Sequence, residues 1–109
     1  MSQTFHNYIG GRWVPAGSGQ TFKNVNPATG ESLGEFPDSG PDDVEAAVQA
    51  ARGAMRAWQL TPAPKRGELL YRLGALIASK KEELARAATR EMGKILIETR
   101  GDVQEGVDM

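Results

Sequence analysis

The stretch NVNPATGE, Asn24–Glu31, lies between two short runs that are typical of β-strands. Its composition predicts a bend, because proline fixes φ, pushes the preceding residue into extended geometry, and is followed here by a glycine that can adopt positive φ. Asn26-Pro27 and Thr29-Gly30 are therefore turn formers. The role of this bend depends on what surrounds it in the chain.

Residues 7–37 consist of short β-type runs separated by glycine, namely NYIGGRWVP, TFKNVNP and ESLGEFP. Glycine-rich turns are expected at Gly10-Gly11, at 17–19 and at Thr29-Gly30. We predict a small antiparallel β-meander. Its apolar side chains are too few to stabilise three strands by themselves, so one face must be covered by another part of the protein: Tyr8, Ile9, Trp13, Val14, Phe22, Val25, Leu33 and Phe36.

Residues 39–109 have the apolar spacing of α-helices, and we predict three. Ser39 is a favourable N-cap and Pro41 suits the first turn of a helix that runs to about Trp58. Two prolines in LTPAPKRG end this helix, and a second helix begins near Pro64.

A capping-box pattern, Ser79 followed by Glu82, predicts a kink or a fresh helix start within the second helix. Gly93 is placed to end it. The last segment, KILIETRGDVQEGVDM, has helical spacing up to Met109 without a C-cap. We therefore expect the chain to be the N-terminal piece of a longer protein. Three apolar faces should then be partly uncovered, namely Trp13/Phe22/Phe36, Leu69/Leu73/Ile77 and Val103/Val107.

The composition limits the function classes. The chain of 109 residues carries 13 basic and 14 acidic side chains, a formal charge of -1, which disfavours nucleic acid and anionic membranes as partners. No apolar run approaches the length of a membrane span, and the N-terminus lacks the features of a secretory signal, so we expect a cytoplasmic protein. The absence of cysteine excludes thiolate nucleophiles and cysteine-containing zinc sites within these residues.

Motifs of catalysis are absent from the sequence. It contains no P-loop, no G-x-G-x-x-G, no H-E-x-x-H and no nucleophile elbow. His6 is the only histidine, and its surroundings favour solvent exposure over catalysis. Carboxylate pairs at helix starts are explained by capping and the helix dipole, and Asp102 with Glu105 is most simply a solvated face.

Five pieces in order nevertheless resemble the N-terminus of the NAD(P)-dependent aldehyde dehydrogenase superfamily. They are YIGGRWV, NPATGE, the helix V-x-x-A-V-x-A-A-R-x-A-x-x-x-W, the helix R-x-x-L-L-x-x-L and the corner E-x-G-K. The ending, EMGKILIETRGDVQEGVDM, is most similar to the branch that contains α-aminoadipic semialdehyde dehydrogenase.

The resemblance implies an α/β fold in which residues 1–109 are the truncated N-terminal part of the NAD(P)-binding domain, with NPATGE as scaffold. Family members oxidise aldehydes through a cysteine thiohemiacetal, hydride transfer to NAD or NADP, and hydrolysis assisted by a glutamate. The resemblance places these groups, the cofactor site included, beyond Met109. The chain alone is therefore predicted to be inactive, and the intact enzyme to be a homo-oligomer.

Two sets of site residues follow from the resemblance. A monovalent cation is expected at oxygens of Asn24, Val25 and Glu91, although relatives often have aspartate at the last position. Asp102, Glu105 and Gly106 are expected to line the entrance for the aldehyde. Both sets have a plain alternative, in which Glu91 is a surface carboxylate at a helix end and Asp102 and Glu105 form a solvated face.

Two functions remain open at this stage. In the first, the chain is the N-terminal segment of an aldehyde dehydrogenase. In the second, it is a free-standing, non-catalytic helical interaction domain or a truncated gene product. They differ in exposed apolar surface, because only a free-standing domain should bury its apolar stripes within itself.

Overall fold

The computed structural model describes residues 3–109. Its elements in chain order are β1 (Asn7–Ile9), β2 (Arg12–Val14), β3 (Thr21–Val25), β4 (Ser32–Pro37), α1 (Pro41–Leu60), α2 (Ala63–Ser79), α3 (Lys81–Met92) and α4 (Leu96–Asp108). They form two compact units. The first holds the described residues up to Val25 together with Ser32–Leu60, and the second holds Asn26–Glu31 together with Thr61–Met109.

The strands of the first unit pair in two separate two-stranded antiparallel sheets, β1 with β2 and β3 with β4. Gly10 and Gly11 form the β1–β2 turn with φ of 59° and 78°, a conformation that a two-residue hairpin turn requires and that glycine adopts without strain. The expected single meander is corrected here. Pro15 lacks an N–H group, and the turn that closes between Ala16 and Gly19 separates the two sheets.

The N-terminal residues also take part in the first unit, which the sequence had not indicated. The amide of Phe5 donates to the carbonyl of Glu35 at 2.8 Å, and the amide of Glu35 donates to the carbonyl of Gln3 at 2.9 Å. The ring of Phe5 stacks on that of Phe36 with centroids 4.5 Å apart. This segment fits closely over Gly34, where a Cβ atom would lie 2.6 Å from the Gln3 carbonyl oxygen.

The N-cap of helix α1 lies one residue later than predicted. The carbonyl of Gly40 accepts the first helical bond, and Asp43 Oδ2 accepts from the Gly40 amide at 2.9 Å, so Gly40 is the N-cap. The prediction of Ser39 as N-cap is wrong. Its hydroxyl instead accepts a hydrogen bond from Asn7 Nδ2 at 2.7 Å.

The second unit contains the expected break in the second helix, so the described chain has four helices rather than three. The break is at Lys80, which ends α2 and precedes α3 without a side-chain cap. The predicted capping box does not form, because the Ser79 hydroxyl donates backwards to the Leu76 carbonyl at 2.7 Å. Gly93 ends α3 in the left-handed conformation, as predicted.

Helix α4 packs against both α2 and α3. At the α3–α4 interface Ala85 and Thr99 are fully buried. The Thr99 hydroxyl donates to the Leu96 carbonyl at 3.0 Å, so the 2.8 Å contact between the Thr89 and Thr99 hydroxyls must use Thr89 as donor. The centre of this interface is therefore small and polar.

Large apolar side chains remain exposed over most of the described chain. Among residues 3–109, Ala16 and Ala85 are the only apolar side chains that are buried. The expected uncovered faces are confirmed, with Trp13 72% exposed and Leu73 51% exposed. No helix among residues 3–109 is both long and apolar enough to cross a membrane.

Candidate functional site

The turn Asn26–Glu31 is held together by its own polar groups. Asn26 is 8% exposed, and its Oδ1 accepts from the Ala28 amide at 2.9 Å, an Asx turn. The backbone amide of Asn26 donates to the Glu31 carbonyl at 2.8 Å, and its backbone carbonyl accepts from the Gly30 amide at 2.7 Å. Gly30 has φ of 74°, which explains why glycine occupies this position.

This turn packs on the C-terminal end of α3, and we call the two segments, Asn26–Glu31 and Arg90–Lys94, the turn–corner joint. Gly93 has φ of 78°, and a Cβ atom there would approach the Pro27 ring to 3.1 Å. An ion pair of 3.2 Å joins Arg90 to Glu31, but both side chains are more than half exposed, so it adds little stability. Close backbone packing at Gly93 is the main feature of the joint.

The predicted cation ligands lie in separate compact units. Asn24 and Val25 are the last residues of β3, where the register with β4 shifts. Glu91 lies in the last turn of α3. Within residues 3–109 no three His, Cys, Asp or Glu side chains cluster in a way that could hold a metal ion. A site built from backbone carbonyls and one carboxylate needs no such cluster, so the cation site stays a prediction.

The predicted entrance residues Asp102, Glu105 and Gly106 all belong to α4 and are exposed. Their spacing of three and four residues puts them on one side of the helix. Asp102 already has a partner, because its two carboxylate oxygens accept from Lys94 Nζ at 2.9 and 2.7 Å. This hydrogen-bonded carboxylate raises the pKa of Lys94, and the charges of Glu98 and Glu105 act in the same direction.

Sequence reasoning did not find the Lys94–Asp102 pair. Lys94 precedes α4 and Asp102 lies eight positions further along, so no helical spacing relates them. Asp102 is exposed, yet its carboxylate ties the corner before α4 to the helix.

A second ion-pair cluster joins the start of α3 to the second turn of α4. The guanidinium of Arg100 donates to both carboxylate oxygens of Glu82 at 2.8 Å each, and Arg86 lies 2.9 Å from the same carboxylate. The hydrogen bond from Arg100, with the charge of Arg86 in support, lowers the pKa of Glu82. The charged side chains of α3 and α4 thus serve the packing of the helices.

Comparison with known proteins gives a consistent family. Residues 13–109 match the model of the Aldehyde dehydrogenase family. The malonate-semialdehyde dehydrogenase of Bacillus pumilus (strain SAFR-032) is 44% identical over 106 residues, which cover 97% of this chain and 22% of that protein.

Solved structures agree with this match. The structure of 3,6-anhydro-L-galactose dehydrogenase superposes with a TM-score of 0.93 at 32% identity, over 97% of this chain and 22% of that one. An NAD-dependent aldehyde dehydrogenase from Sinorhizobium meliloti gives a TM-score of 0.91 at 33% identity, over 99% and 22%. The α/β fold expected from the sequence is confirmed by these superpositions.

The chain spans about 22% of the length of the relatives that it matches. Their names do not confirm the α-aminoadipic semialdehyde branch that the ending of the sequence suggested, because the Bacillus relative is named for malonate semialdehyde.

Proposed function

The chain belongs to the aldehyde dehydrogenase family, and on this premise we propose that it works as the N-terminal segment of an enzyme that oxidises an aldehyde to a carboxylic acid with NAD or NADP. One observation carries the proposal. Residues 13–109 match the family model, yet the apolar faces of the helices remain exposed. This is expected of a segment that forms part of a larger core.

The role of these residues in such an enzyme is structural. NAD or NADP supplies the acceptor for the hydride that leaves the substrate carbon, and family resemblance assigns the cysteine and the catalytic glutamate to polypeptide outside this chain. Within the described residues, the turn–corner joint and the Glu82–Arg100 pair fix the positions of α3 and α4. Rigid support of this kind is what a catalytic constellation requires from its scaffold.

The substrate, the cellular location and the oligomeric state of the enzyme belong to the same proposal. Relatives named for malonate semialdehyde and for 3-sulfolactaldehyde make short aldehydes with an acid group the first substrates to test. We place the intact enzyme in the cytoplasm as a homo-oligomer, in line with the family resemblance.

Two sets of residues are proposed for finer roles. Asp102, Glu105 and Gly106 line the entrance for the aldehyde, and the exposed side of α4 that they share supports this role. Oxygens of Asn24, Val25 and Glu91 hold a monovalent cation, a role that rests on the chemistry of carbonyl and carboxylate ligands.

The experiment joins residues 1–109 to the remaining segment of the Bacillus pumilus relative, in place of the segment that aligns with them, and we call the product the joined protein. We expect it to reduce NAD or NADP when malonate semialdehyde is added, and the chain alone to give no turnover. Glu105→Ala should raise KM for the aldehyde at an unchanged thermal midpoint, and Glu91→Gln should abolish any dependence of the midpoint on K⁺ over choline.

A soluble, folded joined protein without turnover would contradict the proposed function, provided that the unaltered relative is active in the same assay. Turnover by the chain alone would contradict it as well. An unchanged KM in Glu105→Ala, or an unchanged K⁺ dependence in Glu91→Gln, would remove the corresponding site without touching the family assignment.

A further inference from the structure

A groove of about 510 Å³ runs along α2 beside the end of α4, within the second unit, and we call it the α2–α4 groove. Six of its lining residues recur along α2 at steps of three and four, which places them on one face of that helix. The other three lie at the end of α4 and at its C-cap. The lining residues are Gly67, Leu70, Tyr71, Gly74, Ala75, Ala78, Val107, Asp108 and Met109.

The two glycines of this face are in different situations. A Cβ atom on Gly74 would lie 3.4 Å from the Val107 carbonyl, so this glycine lets α4 approach α2 closely. A Cβ atom on Gly67 would have nothing within 4 Å. Glycine inside a helix lowers its stability, and the close approach of α4 explains it at Gly74. At Gly67 the surface of the helix is open.

The groove has an exposed, mostly apolar lining, which is typical of a surface that another segment covers. Leu70 is 62% exposed and Tyr71 is 86% exposed. Asp108 is the only charged residue that lines the groove, and its carboxylate already accepts from Gln104 Nε2 at 2.9 Å. Three of the four charged side chains of α2, by contrast, pair with one another on another face, where Glu68 contacts Lys65 and Arg72. An apolar, closely packing segment suits the groove, and a charged one does not.

We propose that the α2–α4 groove is the seat of the polypeptide that follows Met109 in the intact enzyme, with α4 continuing as a helix along α2 towards Gly67. This rests on the proposed function, since the relatives are about 4.5 times as long as the segment they share with this chain. Val107, Asp108 and Met109 form one wall, so polypeptide that continues from Met109 leaves from within the groove. Seven residues separate Gly74 from Gly67, about 10 Å or two helical turns, a distance that a short continuation covers.

The test reads accessibility at single residues and does not depend on activity. Because the chain contains no cysteine, Leu70→Cys introduces one thiol into the groove, and Arg72→Cys introduces its matched control on the charged face. Labelling with a maleimide is followed in the full chain alone and in the joined protein. It is read by mass spectrometry on the peptide that contains the introduced cysteine, because the added segment brings the family's own cysteine. We expect both thiols to react at similar rates in the chain alone, and Leu70→Cys to react at least tenfold more slowly in the joined protein, while Arg72→Cys changes less than twofold.

Equal labelling of Leu70→Cys in the two proteins would overturn the proposal. If protection appears in the chain alone and grows with its concentration, a second copy fills the groove and the proposal is equally wrong. Should the substitution prevent folding, hydroxyl-radical footprinting of the unsubstituted proteins reads oxidation at Leu70 directly, with the same expectations. Protection of Leu70 in a joined protein that gives no turnover would refute the proposed function and leave the groove assignment standing.

Discussion

Gly93 shows how one residue links the turn Asn26–Glu31 to helix α3. It ends α3 with φ of 78°, donates its amide to the Thr89 carbonyl at 2.9 Å, and faces the Pro27 ring where any side chain would intrude. The left-handed conformation alone disfavours other residues, and the contact with proline adds a steric cost. The position therefore requires glycine for two independent reasons.

Gly93→Ala in the joined protein should lower stability by about 1–3 kcal/mol, because alanine at this φ is strained and its methyl group meets Pro27. Gly101→Ala is the control, since Gly101 lies inside α4 with nothing within 4 Å of a Cβ atom. It should stabilise the protein by up to about 1 kcal/mol. Thermal midpoints measured side by side give the comparison, and an unchanged midpoint in Gly93→Ala would show that the turn–corner joint does not form.

At the scale of elements, sequence patterns predicted the turns and helix ends that depend on residues close together in the chain. The hairpin at Gly10-Gly11, the break near Ser79 and the end of α3 at Gly93 follow from turn and helix-end preferences, and the structure contains all three. The contacts of Phe5 with Phe36 and of Lys94 with Asp102 were missed because tertiary packing creates them. Ser79 failed as a cap since its hydroxyl bonds backwards to Leu76.

The pairing of α3 with α4 should depend on pH through Glu82. Its pKa is lowered in the folded state, first by the hydrogen bond from Arg100, so its contribution is present above the unfolded value of about 4.3 and is lost as the pH falls through the lower folded value. In the joined protein the difference in thermal midpoint between the unaltered protein and Glu82→Gln should be largest near pH 7 and should shrink as the pH falls below about 4.3.

The control for this comparison is Glu83→Gln, which removes a carboxylate from the same turn whose ion-pair partner, Lys80, lies 3.8 Å away. It should change the midpoint at pH 7 less than Glu82→Gln does. A midpoint difference for Glu82→Gln that is constant from pH 7 to pH 3 would show that the Glu82–Arg100 pair does not couple the two helices.

At the scale of the whole molecule, the described chain has regular elements but almost no apolar core. Thr99, Ala85 and Ala16 are buried, whereas Trp58, Leu73 and Leu76 remain about half exposed. The sequence indicated these apolar stripes correctly, because helical periodicity marks the face that packs. The sequence could not indicate which polypeptide covers them. Helical periodicity marks an apolar face but carries no information about the segment that packs on it.

The central claim is that this segment derives its stability from polypeptide that covers these faces in the intact enzyme. Differential scanning calorimetry of the chain alone tests it most directly. An independent domain of this size absorbs about 75 kcal/mol in one cooperative transition, and we predict that the chain alone shows no such peak while the joined protein unfolds cooperatively. A single sharp transition of that size in the monomeric chain alone would contradict the claim.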